Sequence, residues 1–320
     1  MGHLAGGRRI GDVIECGSEH RLVTDRLGCC HGWCAQGQKD NHLTYQPRCK
    51  LSLSPRALVL FDIDGVIRDV GGSYRRALSE TVYHYSGYRP TAAEIDALKG
   101  EGLWNNDWEA SLELLRRRGT CSPLPTFDDI VAVFSEAYFG GDPHGDPASW
   151  KGFIGNETLL VPPEFFHTLD DAGLAWGFVS GAEPPSCRYV LEQRLGLVDP
   201  PLIAMGDAPD KPNPQGLLTL TALLLGRYEA PGLGPLAPPV AYLGDTVTDV
   251  FTLQRARQAV PEQRWRALAV APPHLHAAEA QAARGDYEEQ LLRAGAEAIL
   301  ATTAAVIEAV EAWLGEIDQE

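Results

Sequence analysis

An unbroken apolar run, ALVLF at residues 57–61, stops abruptly at two carboxylates, Asp62 and Asp64. A short run of this kind predicts a strand that is buried on both faces, as in parallel sheets covered by helices. Burial of the strand gives no reason for two acids directly beyond its end. Because ligands bind beyond the carboxyl ends of the strands in open α/β sheets, the two acids mark a candidate site.

Farther along the chain, apolar segments of strand length alternate with helical patterns. Strands are predicted in LAWGFVS, PPLIAMG, PVAYLGD and RWRALAVA, with helices in the segments between them. A last helical stretch is predicted over residues 287–315. This alternation predicts an α/β fold with a doubly wound, Rossmann-like parallel sheet at its core.

The alternation is interrupted after the first strand by residues 71–156, where we expect helices and no strand. The segment TAAEIDALKG, for example, opens with a capping box of Thr91 and Glu94 and closes with a glycine. A length of about 85 residues is enough for a small helical bundle. We therefore predict an inserted all-helical cap domain at 71–156 and an α/β core formed by 55–70 and 157–320.

Residues 1–54 lack the periods of 2 and 3.6 that strands and helices require, and we expect a poorly ordered N-terminal extension. Zinc is the alternative for this segment, because four cysteines and a histidine lie close together in it. The paired C-x-x-C spacing of most structural zinc sites is missing from these cysteines. The residues concerned are Cys29, Cys30, His31, Cys34 and Cys49.

The composition of the chain argues against some classes of binding partner. The chain has 43 acidic and 27 basic residues, a formal net charge of −16, which argues against nucleic acid as a partner. The sequence contains no apolar stretch of about 18 residues, so no membrane-spanning helix is expected. The N-terminus has no apolar core of a secretory signal, and we expect a cytoplasmic protein with reduced cysteines.

Three more segments carry polar residues to the edge of the sheet that Asp62 marks. FVSGA contains Ser180, DKPNP contains Lys211 and GDTVTD contains Asp245 and Asp249. With DIDGV, in this order, they resemble the four motifs of the haloacid dehalogenase superfamily of aspartate-nucleophile hydrolases. The resemblance covers residues 57–272 in outline, and the position of the helical insertion is similar to that of the helical-capped phosphatase subgroup. Taken singly, each residue also has a structural explanation, such as a cap or a strand-end hydrogen bond.

The resemblance implies a division of roles. Asp62 would be the nucleophile that forms an aspartyl-phosphate intermediate. Mg²⁺ would be held by the side chains of Asp62 and Asp245 and by the backbone carbonyl of Asp64, with Asp249 as a direct or water-mediated ligand. Ser180 would donate to a phosphoryl oxygen beside Gly181, and Lys211 would offset charge on the nucleophile and the phosphoryl group.

Asp64 discriminates between branches of this superfamily. A phosphoester releases an alkoxide, which needs a general acid, and the next step needs a base for water. The resemblance places that acid/base two residues after the nucleophile, which is where Asp64 stands. Haloalkanoic acid dehalogenases and phosphonate hydrolases lack an acid there. Asp64 therefore argues against both reactions and for an alcohol leaving group.

Substrate specificity is expected to come from the predicted cap. The loop LKGEGLWNNDWE resembles the segment that enters the active site of related capped enzymes. A structural alternative remains open, since NND before a helix is an N-cap signature and tryptophans four residues apart can pack together. Arg68 is close to the site in sequence and is expected to contact the substrate or the cap. The substrate-binding candidates are Arg68, Lys99, Trp104, Asn105, Asn106 and Gly181.

These observations predict a Mg²⁺-dependent phosphomonoester hydrolase acting on a small phosphorylated metabolite. A phosphosugar mutase on the same scaffold is one alternative, since it would carry all four motifs. A non-catalytic binding protein of the same fold is another. The combination of WNNDW with GDTVTD resembles uncharacterised microbial phosphatase-like subfamilies and implies no particular substrate.

Overall fold

A computed structural model describes residues 54–104, 106–120 and 122–319 of the chain. The predicted N-terminal extension, 1–54, lies outside the described residues except for Ser54. Asn105, one of the substrate-binding candidates, also lies outside them.

The centre of the fold is a six-stranded sheet in which every neighbouring pair of strands is parallel. Two further short strands form a separate antiparallel ladder. The strands are β1 (Ala57–Phe61), β2 (Arg68–Asp69), β3 (Thr158–Leu159), β4 (Leu174–Val179), β5 (Leu202–Ile203), β6 (Val240–Gly244), β7 (Trp265–Val270) and β8 (Ala298–Leu300). The order in the large sheet is β5-β4-β1-β6-β7-β8, so the predicted α/β sheet is confirmed.

Ten α-helices accompany the strands in the described part of the chain. They are α1 (Tyr74–Ser86), α2 (Ala92–Lys99), α3 (Asp107–Arg118), α4 (Phe127–Tyr138), α5 (Glu164–Asp171), α6 (Pro184–Arg188), α7 (Gln215–Arg227), α8 (Val247–Ala259), α9 (Gln281–Ala294) and α10 (Val306–Ile317). A π-helical stretch, Tyr189–Arg194, continues α6. None of the helices in the described ranges is long and apolar enough to cross a membrane.

Strand β1 shows why the sheet is doubly wound. Its five residues are fully buried, and alternate side chains enter two different apolar clusters. Val59 and Phe61 pack in the cluster that contains residues of α5 and α10, whereas Leu58 and Leu60 pack with α7 and α8. A strand that is covered on both faces needs apolar residues at every position, which explains the unbroken run ALVLF.

The prediction of one helical stretch over 287–315 is wrong. Helix α9 ends at Ala294 and is followed by Gly295, whose φ of +107° suits a glycine. Strand β8 then pairs with β7 before α10 begins. The strand was missed because its three residues, Ala298 to Leu300, are too few to show alternation. Alanine and leucine are also good helix formers, so local propensity favoured the helix here.

Helices α1 to α4 form what we call the helical segment, residues 74–138. The described residues between 71 and 156 contain no strand, and the capping box of Thr91 and Glu94 at α2 is present as predicted. The β2–β3 ladder pairs Arg68 with Leu159 and thereby joins the two chain connections that flank this region. The division into a core and a cap at 71–156 stays a prediction.

Candidate active site

Strand register brings three of the predicted residues to one edge of the sheet. Phe61, at the end of β1, is level with Phe178 on β4 and Leu243 on β6. The backbone N–H of Asp62 donates to the carbonyl of Leu243 at 2.9 Å, which extends the ladder by one residue. The next polar residues along these strands, Ser180 and Asp245, therefore lie beside Asp62 at the carboxyl edge.

A cavity lies at this edge, between the sheet and the helical segment. Seven of the predicted residues line it: Asp62, Asp64, Lys99, Asn106, Ser180, Gly181 and Asp245. Four others do not line it, and they are Arg68, Trp104, Lys211 and Asp249. Residues from distant parts of the sequence are thus brought together as the motif order predicts, although the chemical roles of these residues stay predictions.

Lys211 lies behind the cavity wall, buried between two acids. Its Nζ is 3.0 Å from Asp62 Oδ1 and 2.6 Å from Asp249 Oδ1. It also donates to the hydroxyl of Tyr242 at 3.1 Å. Burial acts to lower the pKa of Lys211, but the charges of Asp249 and Asp62 outweigh it and raise the pKa well above its ordinary value. Lys211 is therefore a fixed positive charge beside Asp62.

The two oxygens of Asp249 are both engaged by neighbouring groups. Oδ1 accepts from Lys211 and, at 2.8 Å, from the hydroxyl of Tyr242. Oδ2 accepts from the hydroxyl of Thr246 at 2.6 Å and from its backbone N–H at 3.1 Å, which forms the capping box of α8. These bonds hold Lys211 and the start of α8 in place, and the role of Asp249 as a metal ligand stays a prediction.

The acids at the edge fit a hard divalent cation such as Mg²⁺. Carboxylate oxygens of Asp62, Asp245 and Asp249 lie within 4.8 Å of one another. Burial and the charges of Asp249 and Asp62 raise the pKa of Asp245 well above its ordinary value. Burial likewise raises the pKa of Asp62 to about 7, against the opposing charge of Lys211. Mg²⁺ prefers such oxygen ligands and would relieve the repulsion between these carboxylates.

Gly65 allows Asp245 to approach the loop after β1. It has a φ of +73°, a conformation that favours glycine. A Cβ atom built on it would lie 2.0 Å from Asp245 Oδ2, which no side chain can tolerate. The glycine of DIDG thus makes room for the acid of GDTVTD.

Asp64 is held by a buried arginine. Arg68 Nε donates to Asp64 Oδ1 at 2.7 Å, and the guanidinium also contacts Glu157 at 3.0 Å and the hydroxyl of Ser186 at 2.7 Å. Arg68 is fully buried and does not line the cavity, and its guanidinium lies 5.4 Å from the ring centre of Tyr74, in the predicted cap. The contact of Arg68 with a substrate stays a prediction. Its guanidinium orients Asp64.

The loop between α2 and α3 combines structural and cavity-lining residues. Asn106 is the N-cap of α3, since its Oδ1 accepts from the backbone N–H groups of Trp108 and Glu109, and it also lines the cavity. Lys99 lines the cavity with its ammonium 2.6 Å from Asp107. Trp104 donates to Glu101 outside the cavity. Asn106 thus combines a structural contact with a place in the cavity wall, and the proposed roles of these loop residues in substrate binding stay predictions.

Sequence reasoning missed several residues of the site. Tyr242 was the only hydroxyl in the apolar strand VAYLG, and a polar atom in a buried strand is a signal that a partner exists. Glu183 follows Ser180 by three residues and lines the cavity, but an isolated glutamate in a loop gives no sequence signal. Tyr74 and Trp108 also line the cavity, and their helical spacing alone cannot reveal that.

Some known proteins are similar to this chain in sequence and others in fold. No family model matches the chain. An imidazoleglycerol-phosphate dehydratase from Phytophthora nicotianae is 32% identical over 210 residues, which are 63% of this chain and 42% of that protein. The chain thus spans less than half of the length of that relative.

Three solved structures match most of the chain. A phosphonoacetaldehyde hydrolase-like protein from Oleispira antarctica has a TM-score of 0.57 at 16% identity, over 83% of this chain and 98% of its own. A hydrolase from Pseudomonas syringae has a TM-score of 0.54 at 16% identity, over 80% and 98%. A haloacid dehalogenase-like protein of unknown function from Agrobacterium tumefaciens has a TM-score of 0.52 at 14% identity, over 80% and 98%. The resemblance predicted from the four motifs is therefore confirmed at the level of the fold, which is that of the haloacid dehalogenase-like hydrolases.

Proposed function

We propose that the protein is a phosphomonoester hydrolase that acts on a small phosphorylated metabolite through an aspartyl phosphate on Asp62. The observation that carries this proposal is the joint placement of Asp62, Asp64, Ser180 and Asp245 on one cavity wall, with Lys211 3.0 Å behind Asp62. A nucleophile, a proton carrier, a hydroxyl donor and a fixed cation are the groups that transfer of a phosphoryl group requires.

In the first step a carboxylate oxygen of Asp62 bonds to phosphorus while the bond from phosphorus to the alcohol oxygen breaks. Asp64 gives its proton to the departing oxygen. Lys211 and Ser180 hold the charge that collects on the phosphoryl oxygens. The bond from Arg68 occupies Oδ1 of Asp64, and the other oxygen is the one that we assign to proton transfer.

In the second step Asp64 takes a proton from water, and the water oxygen bonds to phosphorus as the bond to Asp62 breaks. Phosphate leaves and Asp62 is regenerated. Asp62, Asp245 and the backbone carbonyl of Asp64 are the residues that would hold Mg²⁺, which when bound offsets the charge of the phosphate. Asp249 takes no direct part in this scheme, because it anchors Lys211.

The helical segment is proposed as a lid over this cavity. It contributes Arg75, Lys99 and Trp108 to the cavity wall opposite the sheet. One hydrogen bond joins it to the loop after β7, where His274 Nε2 lies 2.9 Å from Asp96 on α2. Closure of such a lid would exclude water while Asp62 is phosphorylated.

The alternatives differ from this proposal at identifiable points. The phosphonoacetaldehyde hydrolase-like neighbour suggests cleavage of a carbon–phosphorus bond, but the acid at position 64, which lines the cavity, serves an alcohol leaving group. A phosphosugar mutase would return the phosphoryl group to its product instead of releasing phosphate. A binding protein without activity would release no phosphate from any substrate.

Phosphate release from p-nitrophenyl phosphate and from a panel of phosphorylated metabolites tests the proposal. The panel should contain imidazoleglycerol phosphate, because the relative from Phytophthora nicotianae is named for that phosphomonoester. We expect release that needs Mg²⁺, stops with EDTA and is abolished in Asp62→Asn. Asp69→Asn is the control, since Asp69 accepts from the backbone of Gly71 and does not line the cavity. Turnover by Asp62→Asn at the rate of the unsubstituted protein would refute the proposal.

A further inference from the structure

Glu183 is a cavity-lining acid that the proposed reaction does not use. It precedes α6, and its Oε2 is buried with no hydrogen-bond partner among the described residues. Burial raises the pKa of Glu183 to about 6, with the charge of His144 acting in the opposite direction. The carboxylate is ionised at neutral pH, yet its Oε2 lacks the hydrogen bond that normally offsets the loss of water.

The cations of the cavity wall already have partners. Arg75 is paired with Asp96, and Lys99 is paired with Asp107. Both pairs involve side chains that are less than one-fifth exposed, so little of either positive charge remains for a second anionic group of a substrate. Lys211 lies behind Asp62, where it serves the phosphoryl group. The unmatched charge of the cavity beyond the phosphoryl position is therefore negative.

Aromatic rings also line the cavity. Tyr74 and Trp108 line the cavity together with Glu183. The faces of such rings attract ammonium and imidazolium groups, and the attraction is stronger where water is excluded. A cavity lined by a carboxylate and by aromatic rings favours a cation over an anion or an apolar group.

We propose that Glu183 selects phosphomonoesters whose organic part carries a protonated nitrogen, which it binds by a charge-assisted hydrogen bond. This inference rests on the proposed phosphatase activity and assigns a substrate class to it. The phosphate would be fixed at Asp62 and the cation at Glu183, in the cavity that Tyr74 and Trp108 also line. Glu183 forms and breaks no covalent bond in the reaction, so its contribution is to binding and orientation.

Two matched series of substrates test the inference. One consists of ω-aminoalkyl phosphates with two to five carbons, and the other of the ω-hydroxyalkyl phosphates of the same lengths. We expect the unsubstituted protein to show a kcat/KM at least 10-fold higher for the amino member at one chain length. In Glu183→Gln the ratio of amino to hydroxyl kcat/KM at that length should fall by about 10- to 100-fold, the usual effect of one charge-assisted hydrogen bond.

Glu192→Gln is the matched control, because Glu192 belongs to the same helical region, pairs with Arg188 and does not line the cavity. In Glu192→Gln the ratio of amino to hydroxyl kcat/KM should equal that of the unsubstituted protein. Equal rates for both series, or a preference that survives in Glu183→Gln, would overturn the inference while the phosphatase proposal stands. Failure to hydrolyse either series and p-nitrophenyl phosphate would instead overturn the proposed function and the inference with it.

Discussion

Asp249 Oδ1 lies 2.6 Å from Lys211 Nζ, and both side chains are almost completely buried. Burial acts to raise the pKa of Asp249, but Lys211 and the hydrogen bonds to the carboxylate lower it below its ordinary value. The pair therefore stays ionised and keeps a positive charge beside Asp62. The two acids of GDTVTD thus have different surroundings, since Asp245 lines the cavity and Asp249 does not.

We expect Asp249→Asn to lower kcat by about 10- to 100-fold, as the loss of a supporting partner commonly does, while the affinity for Mg²⁺ changes little. Asparagine keeps the shape of the side chain but removes the charge that fixes Lys211. Asp245→Asn is the comparison, since we expect it to weaken Mg²⁺ binding directly. Calorimetric titration of Mg²⁺ with both variants measures the difference. Equal losses of Mg²⁺ affinity would show that Asp249 is itself a ligand.

The meeting of polar residues at the carboxyl edge of the sheet was predictable. Parallel strands in register place the residues that directly follow them side by side. Asp62, Ser180 and Asp245 each follow an apolar strand, and this pattern fixed their positions without any contact being known. Burial of β1 on both faces was predictable in the same way from its unbroken apolar run. These features depend on the local pattern of apolar residues and on the rule that ligands of α/β sheets bind beyond the carboxyl ends of the strands.

Other features depend on which side chains meet across long distances in sequence. Arg68 is separated from Glu157 by 89 residues, so no local pattern shows that its guanidinium is buried. Strand β8 exists because β7 offers it an edge, whereas its own residues favour a helix. The free oxygen of Glu183 is likewise a property of its surroundings.

Gly65→Ala should lose both stability and Mg²⁺ affinity. A positive φ at a non-glycine residue costs about 1–2 kcal/mol, and the new Cβ would press on Asp245 Oδ2. Gly72→Ala is the control, because nothing lies within 4 Å of a Cβ at that position. Urea unfolding and Mg²⁺ titration measure the two effects. A Gly65→Ala protein with the stability and Mg²⁺ affinity of Gly72→Ala would contradict this account of the loop.

Arg68→Met should destabilise the protein by about 3–5 kcal/mol, because it leaves the acid of Glu157 buried without its cation. Arg56→Met should cost less than about 1 kcal/mol, since the pair of Arg56 with Glu311 is exposed. The free energies of unfolding in urea give both values. The double variant Arg68→Met with Glu157→Gln should recover part of the lost stability, because it also removes the buried charge of Glu157. No recovery would mean that packing of Arg68, and not its charge, supports the fold.

Glu183→Gln should stabilise the protein at pH 8. The pKa of Glu183 is raised to about 6 in the folded state, above the ordinary value of 4.5, so folding favours the protonated form. Ionisation therefore costs stability above pH 6, and the cost disappears as the pH falls towards the unfolded pKa. Conversion at 1.36 kcal/mol per pKa unit, reduced for partial exposure, gives a gain of about 1–2 kcal/mol for Glu183→Gln at pH 8.

Urea unfolding of Glu183→Gln and of the unsubstituted protein at pH 8 and pH 4.5 measures this gain. The two proteins should differ at pH 8 and agree at pH 4.5, and Glu192→Gln should show no such change because its pair with Arg188 is exposed. A gain that is the same at both pH values would mean that the charge of Glu183 is not its cause. Loss of stability at pH 8 would show that Glu183 has a partner in the protein. A gain confined to pH 8 is what a carboxylate kept for a substrate cation requires, since that cation supplies the missing partner only when it is bound.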